Sequence, residues 1–150
     1  MAGKTRIFSD RATTPWHLWV IGFLTLIWTA VGAFDYLATQ LELEAYMAAF
    51  TPEQLDYFYA FPSWLVAFWA LAVWSALAGS LALLFRSRVA VPLFLISLIS
   101  MIVTSIHNFV FTNGAEVMGQ GGVIFSIVIA VVAVLLVLYS RAMAARHVLT

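Results

Sequence analysis

The stretch Leu83-Leu84-Phe85-Arg86-Ser87-Arg88-Val89-Ala90-Val91-Pro92 decides the fold, because it sets two arginines between two long apolar runs. The runs on either side, about 62–85 and 89–111, each reach the roughly 20 residues that a hydrocarbon core demands of a helix. Arg86 and Arg88 therefore belong to a tight turn at one face of a bilayer. Outward from this pair lie two further apolar runs, about 16–38 and 122–140, and the other basic residues fall beyond them. Lys4, Arg6 and Arg11 precede the first run; Arg141 and Arg146 follow the last. Four crossings return all seven Lys and Arg residues to a single side. Six of the seven acids, Asp35, Glu42, Glu44, Glu53, Asp56 and Glu116, fall toward the opposite side, and only Asp10 stays with the cations. Cationic flanks are held on the cytoplasmic face during insertion. The expected topology is a multi-pass protein of the bacterial inner membrane with both termini cytoplasmic.

Composition points the same way: of 150 residues, 64% are hydrophobic and 9% charged, and the mean hydropathy is +1.01. A water-soluble domain of this size has nowhere to bury so much apolar surface. Net charge is zero, but the topology separates the signs, so the basic residues serve the membrane surface and its anionic lipid. The bilayer is the expected surrounding, and no nucleic-acid partner is implied. The chain has no Cys, which excludes disulfides, thiol catalysis and thiolate metal sites. Residues 4–33 also mimic a secretory signal, with a basic start and a Val31-Gly32-Ala33 stretch. The apolar run from Trp16 to Leu37 exceeds a signal's core and reads instead as the first span.

Local chemistry sets the helix ends. Thr14 and Pro15 suit the N-cap and first turn of the first span, and Pro92 suits the first turn of the third. Residues 39–60 form the longest connection, with four acids and no Lys or Arg. Within it, Thr51-Pro52-Glu53-Gln54 has the form of a capping box with proline at N1, which predicts a short helix. Tyr46, Met47 and Phe50 form a second interfacial piece, and Tyr57, Phe58, Tyr59 and Phe61 belong at the outer interface. Residues 112–121 carry the glycines of a turn, and His147 lies in a tail past the last span. The fold expected is all-α and integral to the membrane, a single domain over 1–150. It is a four-transmembrane-helix antiparallel bundle, N-in/C-in, with short interfacial helical structure in the first outer loop.

Lipid gives helices no hydrophobic reason to associate, so small and hydroxyl residues at helical spacing mark contact faces. The stripes are Gly22, Thr25, Thr29 and Gly32; Ala72, Ser75, Gly79 and Ala82; Ser97, Ser100 and Thr104; and Gly122, Ser126, Ala130 and Ala133. Trp28, Trp69 and Trp74 lie at hydrocarbon depth, where an indole N–H needs an acceptor. A hydrogen bond to a neighbouring helix satisfies each, or the ring stacks on a ligand. A polar cavity lined by Thr25, Trp28, Ser75 and Ser100 and continuous to the midplane would mark a solute pathway. A dry, closed bundle would mark an accessory protein.

Two ionisable residues stand inside the spans. Asp35 lies about 20 residues into the first and His107 about 19 residues into the third, and both spans run outward, so the two reach the same outer-leaflet depth. A carboxylate facing an imidazole satisfies both groups where lipid punishes an unpaired charge. With Tyr36, Asn108 and Glu116 they form a candidate outer-leaflet polar pocket, Asn113 close by. The plainer reading is that both snorkel into the headgroup layer or tie helix ends together. A metal site from Asp35, His107 and Glu116 lacks the fixed helical spacing of a recognised motif. His17 and His107 stand roughly a bilayer apart by helix rise and cannot bracket one haem. No Walker loop, nucleophile elbow, zincin pair or dinucleotide fingerprint is present. No catalytic residue, metal or cofactor is therefore expected, and the chain does not read as an enzyme.

Several patterns carry a resemblance: Phe34-Asp35-Tyr36-Leu37, the stretch from Glu44-Ala45-Tyr46-Met47 through Thr51-Pro52-Glu53-Gln54, Phe61-Pro62-Ser63-Trp64, and Asn113-Gly114-Ala115-Glu116-Val117-Met118-Gly119. Over nearly its whole length the chain resembles a group of small four-span bacterial membrane proteins. These are mostly uncharacterised, and some bear an automatic "sugar transporter" label. The resemblance implies a carrier of a small neutral solute and transfers no functional residue. Three functions stay open. One is a binding or accessory component of the inner membrane that contacts a partner membrane protein. Another is a sugar-like solute transporter working as a homodimer, since four helices are few for alternating access. The third is an enzyme or quinone-binding protein using Asp35 and His107 as a proton pair. The midplane near Thr25, Trp74, Ser100 and Ile129 holds no ionisable residue, which weighs against ion-coupled transport.

Overall fold

A computed structural model describes residues 12–150; Lys4, Arg6, Asp10 and Arg11 lie outside the described residues. Every regular element among them is helical: α1 (Trp16–Gln40), α2 (Glu44–Met47), α3 (Pro52–Tyr59), α4 (Ser63–Leu84), α5 (Ala90–Ile106), a π-helical turn (His107–Phe111) and α6 (Gly114–Ala145). Counting α5 with its π-helical turn, four helices are long and apolar enough to cross a membrane, at 25, 22, 22 and 32 residues. The all-helical, multi-pass class follows directly.

Prolines start two of the four long helices, α1 and α4, from just outside them. Pro15 and Pro62 sit at extended ψ while their carbonyls accept from the first turn, Leu18 N–H to Pro15 at 3.1 Å and Leu65 N–H to Pro62 at 2.9 Å. Pro15, not Thr14, is thus the capping residue of α1, since its locked φ already suits the position. α3 begins as expected: Gln54 N–H donates to the Thr51 hydroxyl at 3.2 Å and Thr51 N–H to Gln54 Oε1 at 3.1 Å. At the other ends, α1, α4 and α6 stop through left-handed residues that are not glycine: Glu42 (φ 50), Arg86 (φ 58) and His147 (φ 56). The following N–H reaches back each time, Leu43 to Ala38, Ser87 to Ala82 and Val148 to Met143. This satisfies carbonyls that lipid would leave unpaired. A non-glycine residue in that conformation costs roughly 1–2 kcal/mol, so something must hold each one there.

The turn expected at 112–121 is corrected. α6 runs through it from Gly114, with a break at Gly119 (φ 70, ψ −179). Glycine takes positive φ without a steric clash, so here it bends a helix and does not end one. The π-helical turn before α6 is held by the Thr112 hydroxyl, which donates to the carbonyls of His107 (3.2 Å) and Asn108 (3.0 Å).

Small residues mark contact faces on three of the four spans: Gly22, Thr25 and Thr29 of α1, Ala72, Ser75 and Gly79 of α4, and Ser97 and Ser100 of α5 are buried. α4 packs on α1 and α5, and α5 packs on α6. The Thr29 and Ser80 hydroxyls, 3.0 Å apart, join α1 to α4, and Ser97 donates to the Ala72 carbonyl at 2.7 Å to join α5 to α4. On α6 the stripe stays half-buried at Gly122, Ser126 and Ala133, which wall a cavity that Thr29, Ala72, Ser97 and Thr104 also line.

The main buried apolar cluster gathers at one end of the molecule, where Leu18, Leu83, Ala90, Phe94, Leu136, Val137, Met143, Val148 and Leu149 meet. Residues 147–150 fold back to close it. Arg86 donates through Nε to the Val148 carbonyl (3.1 Å) and through Nη2 to the Ala12 carbonyl (2.9 Å); Arg88 Nε donates to the Leu149 carbonyl (3.1 Å). Thr150 N–H returns a bond to the Arg86 carbonyl at 2.9 Å. These arginines therefore hold the chain's own backbone, and they fix the left-handed turns at Arg86 and His147. The opposite end is built by α2, α3 and the π-helical turn, with Tyr57 and Thr112 hydroxyls 2.7 Å apart and Gln54 Nε2 donating to the Val117 carbonyl at 3.3 Å. The described cations lie toward the first end and the described acids toward the second.

Candidate functional site

With the apolar cluster at one end, the other half of the molecule is hollow. α1, α4, α5 and α6 surround a cavity of about 540 Å³ that α2 and α3 roof, a volume typical of small-molecule sites. Its wall on α6 runs from Met118, past the break at Gly119, to Leu136, so the space is elongated along the helices and suits a chain-like molecule.

One side of the cavity is open. α1 and α6, the first and last long helices, lack the close packing seen between the other neighbouring pairs. They are bridged by side chains: Trp28 and Phe125 have ring centroids 6.1 Å apart, and His17 Nδ1 lies 2.7 Å from the Tyr139 hydroxyl. Trp28, Val31 and Phe125 line the cavity and yet are well exposed.

Polarity is graded along the length. Deep in the cavity, the lining hydroxyls already donate to backbone carbonyls: Thr29 to Thr25 (2.9 Å), Ser97 to Ala72 (2.7 Å), Thr104 to Met101 (2.8 Å) and Ser126 to Gly122 (2.9 Å). What remains there for a ligand is methyl, methylene and ring surface. At the roofed end stand Asp35, Thr39, Tyr46, Gln54 and Asn108. The Tyr46 phenol donates to Asp35 Oδ1 at 2.5 Å, and no other donor to that carboxylate occurs among the described residues. Burial, and then the hydrogen bond and charge of Asp35, push the Tyr46 phenol up to about 12. It stays a neutral donor across the physiological range.

The residues singled out from sequence separate into two groups. Asp35, Asn108 and Trp28 line the cavity; Tyr36, His107, Glu116, Thr25, Ser75 and Ser100 do not. Among the described residues Asp35 and His107 share neither a hydrogen bond nor an ion pair. His107 opens the π-helical turn and faces the edges of Phe61 and Trp64, at centroid distances of 6.2 and 5.4 Å, with Nδ1 3.3 Å from Asn108 Oδ1. The wide turn redirects what a continuous α-helix would have presented. Tyr36 packs edge-on against Trp69 and Trp74, at 5.0 and 6.3 Å, and Glu116 is exposed in the first turn of α6. Thr25, Ser75 and Ser100 are buried outside the cavity lining. The indoles of Trp28, Trp69 and Trp74 make no hydrogen bond to a neighbouring helix among the described residues and take ring contacts instead. Asn113 precedes α6 without a side-chain cap.

The sequence places a pocket beneath the loop of residues 39–60, but sequence reasoning missed the residues of that loop as lining. Tyr46 and Phe50, with Gln54, Phe58 and Phe61, recur at three or four residues across α2, α3 and the segments beside them, and all five line the cavity. That spacing was the available signal. Among the described residues no group of three or more His, Cys, Asp or Glu is placed to hold a metal ion. No protein-family model, curated protein or solved structure matches the chain.

Proposed function

We propose that this protein is a non-enzymatic component of the bacterial inner membrane that works by binding an amphiphilic small molecule between its spans. The observation that carries this reading is the graded cavity: an elongated space whose deep hydroxyls are already engaged and whose polar groups collect at one end. A hydrocarbon chain loses nothing against such a wall, whereas a sugar would leave its hydroxyls without partners. Transport of a sugar-like solute accordingly has less support than retention of a lipid-like one.

In this reading the spans form an antiparallel bundle with both termini cytoplasmic, the Arg86–Arg88 turn inside and the α2–α3 roof outside. The gathering of described cations at one end supports that orientation. Purification in mild detergent, followed by identification of retained small molecules, partner proteins and oligomeric state, tests the function. An amphiphile recovered in fixed ratio to the chain is expected. Saturable sugar uptake by reconstituted vesicles, with no amphiphile retained, refutes the reading. Reporter fusions test the orientation separately: Asp56 should report outside and Ser87 inside.

A further inference from the structure

The roofed end of the cavity is both acidic and aromatic. Asp35 points its carboxylate to a site also lined by Tyr46, Phe50, Phe58, Phe61 and Trp69. Among the described residues only the Tyr46 hydroxyl donates to the Asp35 carboxylate, and no described Lys or Arg lies at that end. Glu42, Glu44, Glu53 and Asp56 on the connecting segments add to the negative potential. An anionic head would meet repulsion from every side, and a neutral head would leave the carboxylate without a counter-charge in a water-poor site. Rings around a carboxylate are the means by which proteins recognise alkylammonium groups, through the negative faces of the rings and the charge together.

We infer that the cavity binds a cationic amphiphile, its ammonium head at Asp35 and the aromatic roof, its hydrocarbon tail running inward between Trp28, Phe125 and Leu136. This rests on the binding reading above and adds the charge of the ligand's head. The acidic surroundings disfavour a phosphate beside that head. The open side between α1 and α6 lets the tail arrive from the lipid without crossing the roof.

The test uses the full chain in nanodiscs and dodecyltrimethylammonium with a nitroxide at the end of its chain, which quenches tryptophan fluorescence near the deep wall. Matched nitroxide probes with alcohol, carboxylate and phosphocholine heads share the tail and differ in charge. Saturable quenching by the ammonium probe at about ten-fold lower concentration than by the alcohol or phosphocholine probe is expected. Asp35→Asn should erase that difference. Gly32→Leu should abolish saturable quenching by every probe: Gly32 lines the cavity and a Cβ there meets nothing within 4 Å, so the new side chain fills the space without a clash. Equal affinities for the ammonium and alcohol probes, unchanged by Asp35→Asn, overturn the cationic head and leave the cavity reading in place. Quenching that survives Gly32→Leu in a protein of unaltered stability overturns both.

Discussion

Replacing Arg86 removes its side chain's share of the clamp at the chain's end, and the size of that share can be worked out bond by bond. Alanine at this position loses the bonds from Nε to Val148 (3.1 Å) and from Nη2 to Ala12 (2.9 Å). Hydrogen bonds from a charged donor contribute about 1.5–3 kcal/mol each, and the lower figure applies at a half-exposed end. Arg86→Ala should therefore cost about 3 kcal/mol. Glycine loses the same two bonds but relieves the left-handed strain at φ 58, recovering roughly 1 kcal/mol. Arg86→Gly should thus fall between wild type and Arg86→Ala, a ranking opposite to the usual penalty for glycine. Lysine keeps the charge that sets topology but has no planar fork to serve two carbonyls, and belongs near glycine in rank. Reversible unfolding in mixed micelles measures the series. A second assay follows the clamp itself: the chain has no Cys and Leu149 is 0% exposed, so Leu149→Cys reports opening through maleimide labelling. Of the two lost bonds only the one to Val148 holds residues 147–150, so a loss of about 1.5 kcal/mol there should accelerate labelling by roughly tenfold. Stability of Arg86→Ala within about 0.5 kcal/mol of wild type, with labelling unchanged, would refute the clamp. Arg86→Gly weaker than Arg86→Ala would refute the strain argument alone.

Four further outcomes follow from the same contacts. Thr29→Val and Ser80→Ala, whose hydroxyls stand 3.0 Å apart between α1 and α4, should couple by about 0.6 kcal/mol in a double-mutant cycle, and additivity would remove that link. Gly79→Ala sets a methyl 2.9 Å from the buried Phe94 ring and should cost about 1–3 kcal/mol. Gly22→Ala meets only the flexible end of Leu84 and should cost less; equal losses would mean that the Phe94 ring yields freely. Because the Tyr46 phenol is raised from 10.0 to about 12, the stability linked to its neutral form is full below pH 10 and lost as pH climbs through 12. Ultraviolet titration of wild type against Tyr46→Phe reads this directly, and ionisation near pH 10 contradicts it. Asp35→Asn and His107→Ala should be additive in stability, since each has another partner; coupling above about 0.5 kcal/mol would restore a direct contact.

That four helices are long and apolar enough to cross a membrane was legible in the sequence, although the last starts at Gly114 and not near 122, because insertion into lipid depends on what each residue is, more than on what it touches. About 20 apolar residues cross, and charges do not. The α3 capping box was legible for the same reason, since Thr51 and Gln54 satisfy each other within one turn. Stripes on α1, α4 and α5 marked contacts, as small residues allow close approach wherever a neighbour exists. On α6 the same kind of stripe stays half-buried, and nothing local to Gly122, Ser126 or Ala133 distinguishes the two outcomes.

Charge at one end of the molecule could be read from Arg86 and Arg88, yet their carbonyl partners lie about 60 residues away along the chain and appear only once the helices are assembled. Depth in the bilayer brought Asp35 and His107 to the same level, but their directions depend on a π-helical turn and on which rings crowd against it. Residue chemistry alone thus determined that this chain forms four helices long and apolar enough to cross a membrane. Tertiary structure decided which side chains meet and where the hollow lies, because those depend on rotation about each helix axis and on distant partners, and hydrophobicity constrains neither.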